Sequence, residues 1–223
     1  MVDPVRRDES TASAGAHRSA RVARPPAATL RSGCSGPFEG FWHASSHATI
    51  ARMSVPGPTE RLALREMTAD DLDLMADLLG DPEVMAFYPR PKDRAEALGW
   101  IRWNARLYRE RGFGLWLIEL RDTGEFVGDC GLTPQVVDRT PEIEIGYHVR
   151  RPLQGQGYAT EAASACRDHA RDVLGLERLV AIIDPGNAPS QRVAEKIGLV
   201  LEKETDWSGK RMRVYAGRLP TEG

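Results

Sequence analysis

The sequence predicts an α/β (α+β) domain of six to seven strands and about four helices. Three observations predict it. Short runs alternate apolar and polar residues, as in Glu142 to Val149, where Ile143, Ile145, Tyr147 and Val149 take one face and Glu142, Glu144, Gly146 and His148 the other. Between such runs lie stretches whose apolar residues recur three and four apart, the helical period. Leu179 to Ile183 is a continuous apolar run, as expected of a strand buried on both faces.

Residues 1–52 stand apart. They are rich in Ala, Ser, Arg, Gly and Pro, carry seven arginines against four acids, and show no sustained period. Such a segment buries too little apolar surface to offset its ordering entropy. The Arg6-Arg7 pair suggests a twin-arginine signal, but no apolar stretch follows it. We expect a disordered extension or a start placed upstream of the true one, with Met53 opening the folded domain, residues 53–223.

Arg61 to Arg65 alternates as a short strand. Thr68 is placed to cap a helix from Ala69 to Leu79, with Asp70 and Asp71 in its first turn and a stripe of Leu72, Met75, Ala76 and Leu79. Pro82, Pro89 and Pro91 break the chain around Phe87 and Tyr88. A second helix is expected from Arg94 to Glu110, with a stripe of Leu98, Ile101, Ala105 and Tyr108 widened by Trp100 and Trp103. Leu115 to Leu120 and Glu125 to Leu132 read as strands joined by an Asp122-Thr123-Gly124 turn. Glu142 to Val149 follows. A small-residue helix, Tyr158 to Leu174, presents Ala159, Ala162, Ala163, Cys166, Ala170 and Val173 on one face. After the Leu179 to Ile183 strand, Asp184 to Asn187 turns into a short helix, Ala188 to Ile197, which Gly198 can end. Strands at Leu199 to Thr205 and Arg211 to Leu219 close the domain across Ser208-Gly209.

Composition narrows the function. The 223 residues suffice for one good core, and a hydrophobic share of 41% with 28% charged residues fits a globular domain. A net charge of −2 gives no reason to expect a nucleic-acid partner. No apolar run is long enough to span a bilayer, so no membrane role is expected. The cysteines Cys34, Cys130 and Cys166 form no C-x-x-C pair, which points to a cytoplasmic protein with free thiols. The five histidines are scattered and suggest no metal site. Cys166 is read as packing.

The chemistry centres on Arg150 to Gly157. A strand leads in, Gly155 and Gly157 form a turn, and a helix leads out with no acid before Glu161. Glycines let successive N–H groups converge, and a helix N-terminus favours an anion there. A P-loop is excluded because Tyr158 and Ala159, not Lys and Ser/Thr, follow Gly157. A Rossmann fingerprint lacks its third glycine. A plain β–α connection that binds nothing is the alternative.

The spacing Gln154-x-x-Gly157-x-Ala159 resembles the acyl-CoA loop Q/R-x-x-G-x-G/A of the GCN5-related N-acetyltransferases (GNAT). A second stretch, Asn187-A-P-Ser190-Q-R-V-A-E-Lys196-I-Gly198-L, is similar to the N-x-x-S/A…K-x-G-F segment of that superfamily. The strings E-I-E-I-G-Y-H-V and G-Y-A-T-E-A resemble its RimJ/RimL-like branch. The resemblance covers about Glu60 to Arg218.

It implies a GNAT fold: a mixed, mostly antiparallel sheet with helices on both faces. It implies acetyl-CoA as co-substrate, no metal, and an amine acceptor, either a protein N-terminus or a small molecule, in a monomer or homodimer. Backbone near Val149 and Arg151 would pair with the pantetheine arm. Gln154, Gly155, Gln156, Gly157, Tyr158 and Ala159 would form the pyrophosphate loop, Thr160 adding a hydroxyl. Asn187 and Ser190 would meet the far end of pantetheine. Acyl transfer to an amine needs a base, and Glu144 is the first candidate, with His148 second because imidazole titrates near neutrality. Many members use a tyrosine to protonate the thiolate, but its position here is Ala194; Ser190 is the candidate in its place. The first two helices would flank the acceptor, with Phe87, Tyr88 and Trp103 as walls. Two competing readings are an acyl-CoA-binding module without catalysis and a partner-binding domain without ligand.

Overall fold

A computed structural model of the chain describes residues 55–220. The expectations for residues 1–52, including Cys34, lie outside the described residues. Seven strands, β1 (Leu62–Arg65), β2 (Leu115–Leu120), β3 (Phe126–Val137), β4 (Thr140–Val149), β5 (Arg178–Ile183), β6 (Val200–Trp207) and β7 (Lys210–Arg218), form one sheet in the order β1-β2-β3-β4-β5-β7-β6. Four α-helices accompany it: α1 (Leu72–Gly80), α2 (Arg94–Arg111), α3 (Tyr158–Asp172) and α4 (Ala188–Lys196). Every neighbouring pair of strands is antiparallel except β4 with β5.

Helices cover both faces of the sheet. Adjacent residues of β4 show this, because successive side chains in a strand point to opposite sides. The Tyr147 hydroxyl meets Ser190 of α4, while the His148 ring lies 6.2 Å from that of Trp100 of α2. The core is continuous across the domain, from Leu62, Met75 and Ile101 through Trp116, Ile145 and Cys166 to Leu179 and Tyr215.

Several expectations are corrected. The first turn of the first helix, Ala69–Asp71, is 3-10 and not α. Asp71 explains it: its carboxylate accepts from the Thr68 N–H and is drawn back to the Arg65 guanidinium at 2.6 Å. The buried stripe of α2 is Ala97, Ile101, Asn104, Leu107 and Tyr108, so Leu98 and Ala105 stand off-centre. Asn104 is tolerated there because its Oδ1 accepts from Leu115 N–H and its Nδ2 donates to Trp100 C=O. α3 ends at Asp172, which leaves Val173 58% exposed, and His169 takes the buried place.

β3 is longer than expected because Pro134 argues against a strand interior. β2 stops opposite Gly131, so beyond that point β3 has only β4 beside it and Pro134 withholds no bond from a second neighbour. The β3–β4 turn is Asp138-Arg139, both at positive φ without glycine, a signal the sequence barely carries.

Candidate active site

β4 and β5 pair at one position, Glu144 opposite Val180. β4 runs on to Val149 and β5 to Ile183 without further partners between them. Two parallel strands that part leave unpaired backbone groups facing an opening. Arg150 N–H still donates to Val127 C=O of β3 at 2.9 Å. Neighbouring strand residues turn their amides to opposite sides, so Val149 faces the opening. Its carbonyl is taken by Gln154 Nε2 at 2.9 Å. Gln154 N–H also bonds Arg151 C=O. The glutamine is therefore a brace that fixes the loop.

Gly155 and Gly157 hold φ of 75° and 87°, the left-handed region glycine allows, and Gly157 is the N-cap of α3. Glu161 N–H is the first in α3 to find an acceptor four residues back, Gly157 C=O at 3.0 Å. The amides of Tyr158, Ala159 and Thr160 precede it and have no such acceptor. The loop thus ends in a set of N–H donors at a positive dipole end, suited to an anion. Arg151 is exposed and pairs with Glu83 at 2.5 Å.

No sequence motif marks Arg61. It reaches the loop from the start of β1, donates to Gln156 C=O at 3.1 Å, pairs with Glu161 at 2.6 Å and lies 4.5 Å over the Tyr158 ring. Glu161 is the one acid of the first turn of α3. Burial acts to raise its pKa, but hydrogen bonds from Thr59, the Arg61 N–H and the Arg61 side chain prevail and hold it below the usual carboxylate range. The ion pair neutralises a charge that would otherwise oppose an anion. Nothing at the level of motif links residues a hundred positions apart.

Asn187 caps α4, its Oδ1 accepting from Ser190 N–H at 3.1 Å. Ser190 and Tyr147 hold each other twice: Tyr147 OH donates to Ser190 C=O at 2.8 Å, and Ser190 OH donates to the Tyr147 hydroxyl at 3.0 Å. Burial pushes the Tyr147 phenol above its ordinary value. Ala194 is fully buried one turn further along α4.

The opposite face of β4 carries the acids and the imidazole. Glu144 Oε2 accepts from Gln135 Nε2 at 2.8 Å, and Oε1 from Ile182 N–H at 3.4 Å. Burial pushes its carboxyl up to about 7, against the pull of those two donors, of Thr133 and of His148. His148 is 8% exposed; Nδ1 lies 2.7 Å from Asp129 Oδ1 and Nε2 2.8 Å from the Tyr88 hydroxyl. Asp129 is wholly buried and accepts from Trp100 Nε1 at 3.2 Å. Of the expected wall residues, Tyr88 is brought to the cleft. Phe87 lies against the 184–187 turn, its carbonyl held by Lys210 Nζ at 3.3 Å. Trp103 stands one ring behind Trp100, at 5.4 Å between centroids. Asp129 escaped notice because β3 reads as a buried apolar strand, and only its pairing with β4 puts it beside His148.

Among the described residues no group of His, Cys, Asp and Glu is placed to hold a metal, and no helix is long and apolar enough to cross a membrane. Cys130 and Cys166 are free and buried.

Residues 61–200 match the acetyltransferase (GNAT) domain family. The protein YkkB of Bacillus subtilis (strain 168) is 41% identical over 158 residues, covering 70% of this chain and 92% of YkkB. N-acetyltransferase p20 of Bacillus licheniformis is 30% identical over 164 residues, 70% of this chain and 91% of p20. The crystal structure of an acetyltransferase from Agrobacterium tumefaciens str. C58 superposes with a TM-score of 0.65 at 32% identity, covering 74% of this chain and 95% of that one. The parted strands, the glycine turn and the match over the same residues agree: the chain belongs to the GNAT family and is an N-acetyltransferase.

Proposed function

We propose that the enzyme transfers the acetyl group of acetyl-CoA to a primary amine by direct attack in a ternary complex. The observation that carries this is the parting of β4 and β5 beyond Glu144, with a donor-rich helix N-terminus at one end of the opening and a neutral-range carboxyl at the other. The amides from Gly155 to Thr160 hold the pyrophosphate, with Gln154 and Gln156 shaping the loop. The Val149 N–H and the backbone at Arg151 pair with pantetheine. Asn187 and Ser190 bound its thiol end.

Glu144 is the base. A carboxyl poised near 7 is half ionised at neutral pH and accepts a proton from the attacking nitrogen while staying strong enough to be useful. Collapse of the tetrahedral intermediate breaks the C–S bond, and the Ser190 hydroxyl turns its one proton from the Tyr147 oxygen to the thiolate while Tyr147 OH stays on the Ser190 C=O. The acceptor is a protein N-terminus or a small amine. Structures that share this fold at under 25% identity include a RimL ribosomal L7/L12 alpha-N-protein acetyltransferase in complex with coenzyme A and a spermidine N-acetyltransferase from Vibrio cholerae in complex with CoA and spermine. We assign residues 53–223 to a single N-acetyltransferase domain acting in the cytoplasm as a monomer or homodimer.

The test is thiol release from acetyl-CoA by the full chain with short free-N-terminus peptides and with polyamines. Amine-dependent release that Glu144→Gln abolishes supports the reading. Release at equal rates with and without amine contradicts it.

A further inference from the structure

An amine acceptor reaches the enzyme as an ammonium and leaves as an amide, so its nitrogen sheds two protons. One must go before attack, because an ammonium has no lone pair. The other goes as the C–N bond forms. Glu144 accounts for one. The cleft holds a second proton path beside it, built from groups that the acid–base assignment does not use.

That path starts at Tyr88. Tyr88 as a residue is 45% exposed, while its hydroxyl reaches in to His148 Nε2 at 2.8 Å. Behind it, His148 Nδ1 sits 2.7 Å from Asp129, a carboxylate with no exposure to water. A buried carboxylate only accepts, so the Nδ1 proton belongs to the imidazole and Nε2 is left as an acceptor. Tyr88 OH is the donor facing it. Trp100 Nε1 fixes the other carboxylate oxygen, so the three groups are held in line from α2 to the mouth of the cleft. The same logic orients the imidazole of a serine-protease triad, where an aspartate sets the tautomer and supports the imidazolium.

We infer that Tyr88, His148 and Asp129 form a proton relay that turns the bound ammonium acceptor into a free amine, leaving Glu144 to take the second proton during attack. The step balances. The ammonium proton passes to the Tyr88 oxygen, the Tyr88 hydroxyl proton passes to His148 Nε2, and Tyr88 ends neutral. His148 becomes an imidazolium paired with the Asp129 carboxylate, and it loses its proton to water after product release. Tyr88 is the catalytic residue of the relay; Asp129 is a positioning residue acting through His148. The relay rests on the acetyl-transfer reading. The ionisable groups facing His148 are Asp129 from β3, Glu144 on its own strand and Tyr88 from the segment before α2, with Lys92 stacked on the far ring, Trp100, at 5.3 Å.

The relay is needed only while the acceptor is protonated, and that gives the test. The full chain and its Tyr88→Phe, Asp129→Asn and Glu144→Gln variants are assayed for thiol release at pH 6.5 and 9.0 with a short peptide bearing a free α-amine. Such an amine has a pKa of about 8, so at pH 6.5 roughly one molecule in 30 is neutral. We expect kcat/KM of Tyr88→Phe and Asp129→Asn to fall about 30-fold at pH 6.5 and to return to within about threefold of wild type at pH 9.0, where the amine is already neutral. The Glu144→Gln deficit should instead be larger at pH 9.0, by about fourfold, because the wild-type carboxyl is only about a quarter ionised at pH 6.5. Equal losses for Tyr88→Phe at the two pH values overturn the relay, as does recovery of Glu144→Gln at pH 9.0. Nitrogen-15 spectra of His148 give a reading that needs no acceptor. In the wild type the neutral ring should carry its proton on Nδ1, and finding it on Nε2 overturns the relay even in an active enzyme. Wild-type protein that binds acetyl-CoA but releases no thiol with any amine overturns the acetyl-transfer reading, and the relay with it.

Discussion

Glu144 stands opposite Val180 at the one position where β4 meets β5, and its Oε1 faces the Ile182 N–H two residues beyond, at 3.4 Å. The carboxylate thus sits at the apex of the opening between the strands. Its chemistry and the fold have the same cause: where the ladder stops, a side chain replaces a strand as acceptor, and the surrounding protein keeps that side chain from water.

Glu144→Gln should lower kcat by about 100-fold or more, the usual worth of a positioned base, with little change in acetyl-CoA affinity. Wild-type kcat should rise with pH through a limb near 7, because the protonated carboxyl accepts nothing below it. The variant should lack that limb. Steady-state kinetics between pH 5.5 and 8.5 check both.

The same carboxyl should leave a mark on stability. Its folded pKa is raised from 4.5 to about 7, so the native state binds the proton more tightly than the unfolded chain. Native stability then falls as pH rises from about 4.5 to about 7 and levels above that. Glu144→Gln should remove this part of the slope, as measured by urea unfolding at several pH values.

Arg61→Ala should weaken acetyl-CoA binding roughly fivefold, about 1 kcal/mol, by leaving Glu161 unneutralised beside the phosphate loop. Arg61→Ala combined with Glu161→Gln should recover most of it. If the double variant binds as poorly as the single one, Arg61 acts by contact and not through Glu161. Calorimetry on the three proteins decides.

Ser190→Ala removes the bond between the two hydroxyls and Tyr147→Phe removes that bond together with the one to the Ser190 C=O, so their effects on kcat should not add. Each should slow turnover about tenfold, and the double variant little further. Additive losses would mean the two hydroxyls act separately.

Much of this was legible in the chain. The strands announced themselves by alternation and the helices by their stripes, and the glycine turn with its two partner motifs pointed to the family by resemblance. Glu144 and His148 were visible as ionisable groups on one face of β4. What escaped notice depends on pairing across sequence distance. Asp129 becomes a partner of His148 only in the β3–β4 register, and Arg61 meets Glu161 only when β1 lies beside α3. Gln154 belongs to the loop motif, yet its side chain turns inward to Val149, which the motif does not encode. Pro134 misled because its exemption depends on where a neighbouring strand stops.

The central claim is that the opening between β4 and β5 binds acetyl-CoA through the loop at Gly157. Calorimetric titration of the full chain with acetyl-CoA, beside its Gly157→Glu variant, tests it most directly. The account predicts saturable 1:1 binding that the variant loses while keeping its fold. Wild-type affinity in a folded Gly157→Glu protein, or no binding by the wild type, would contradict it.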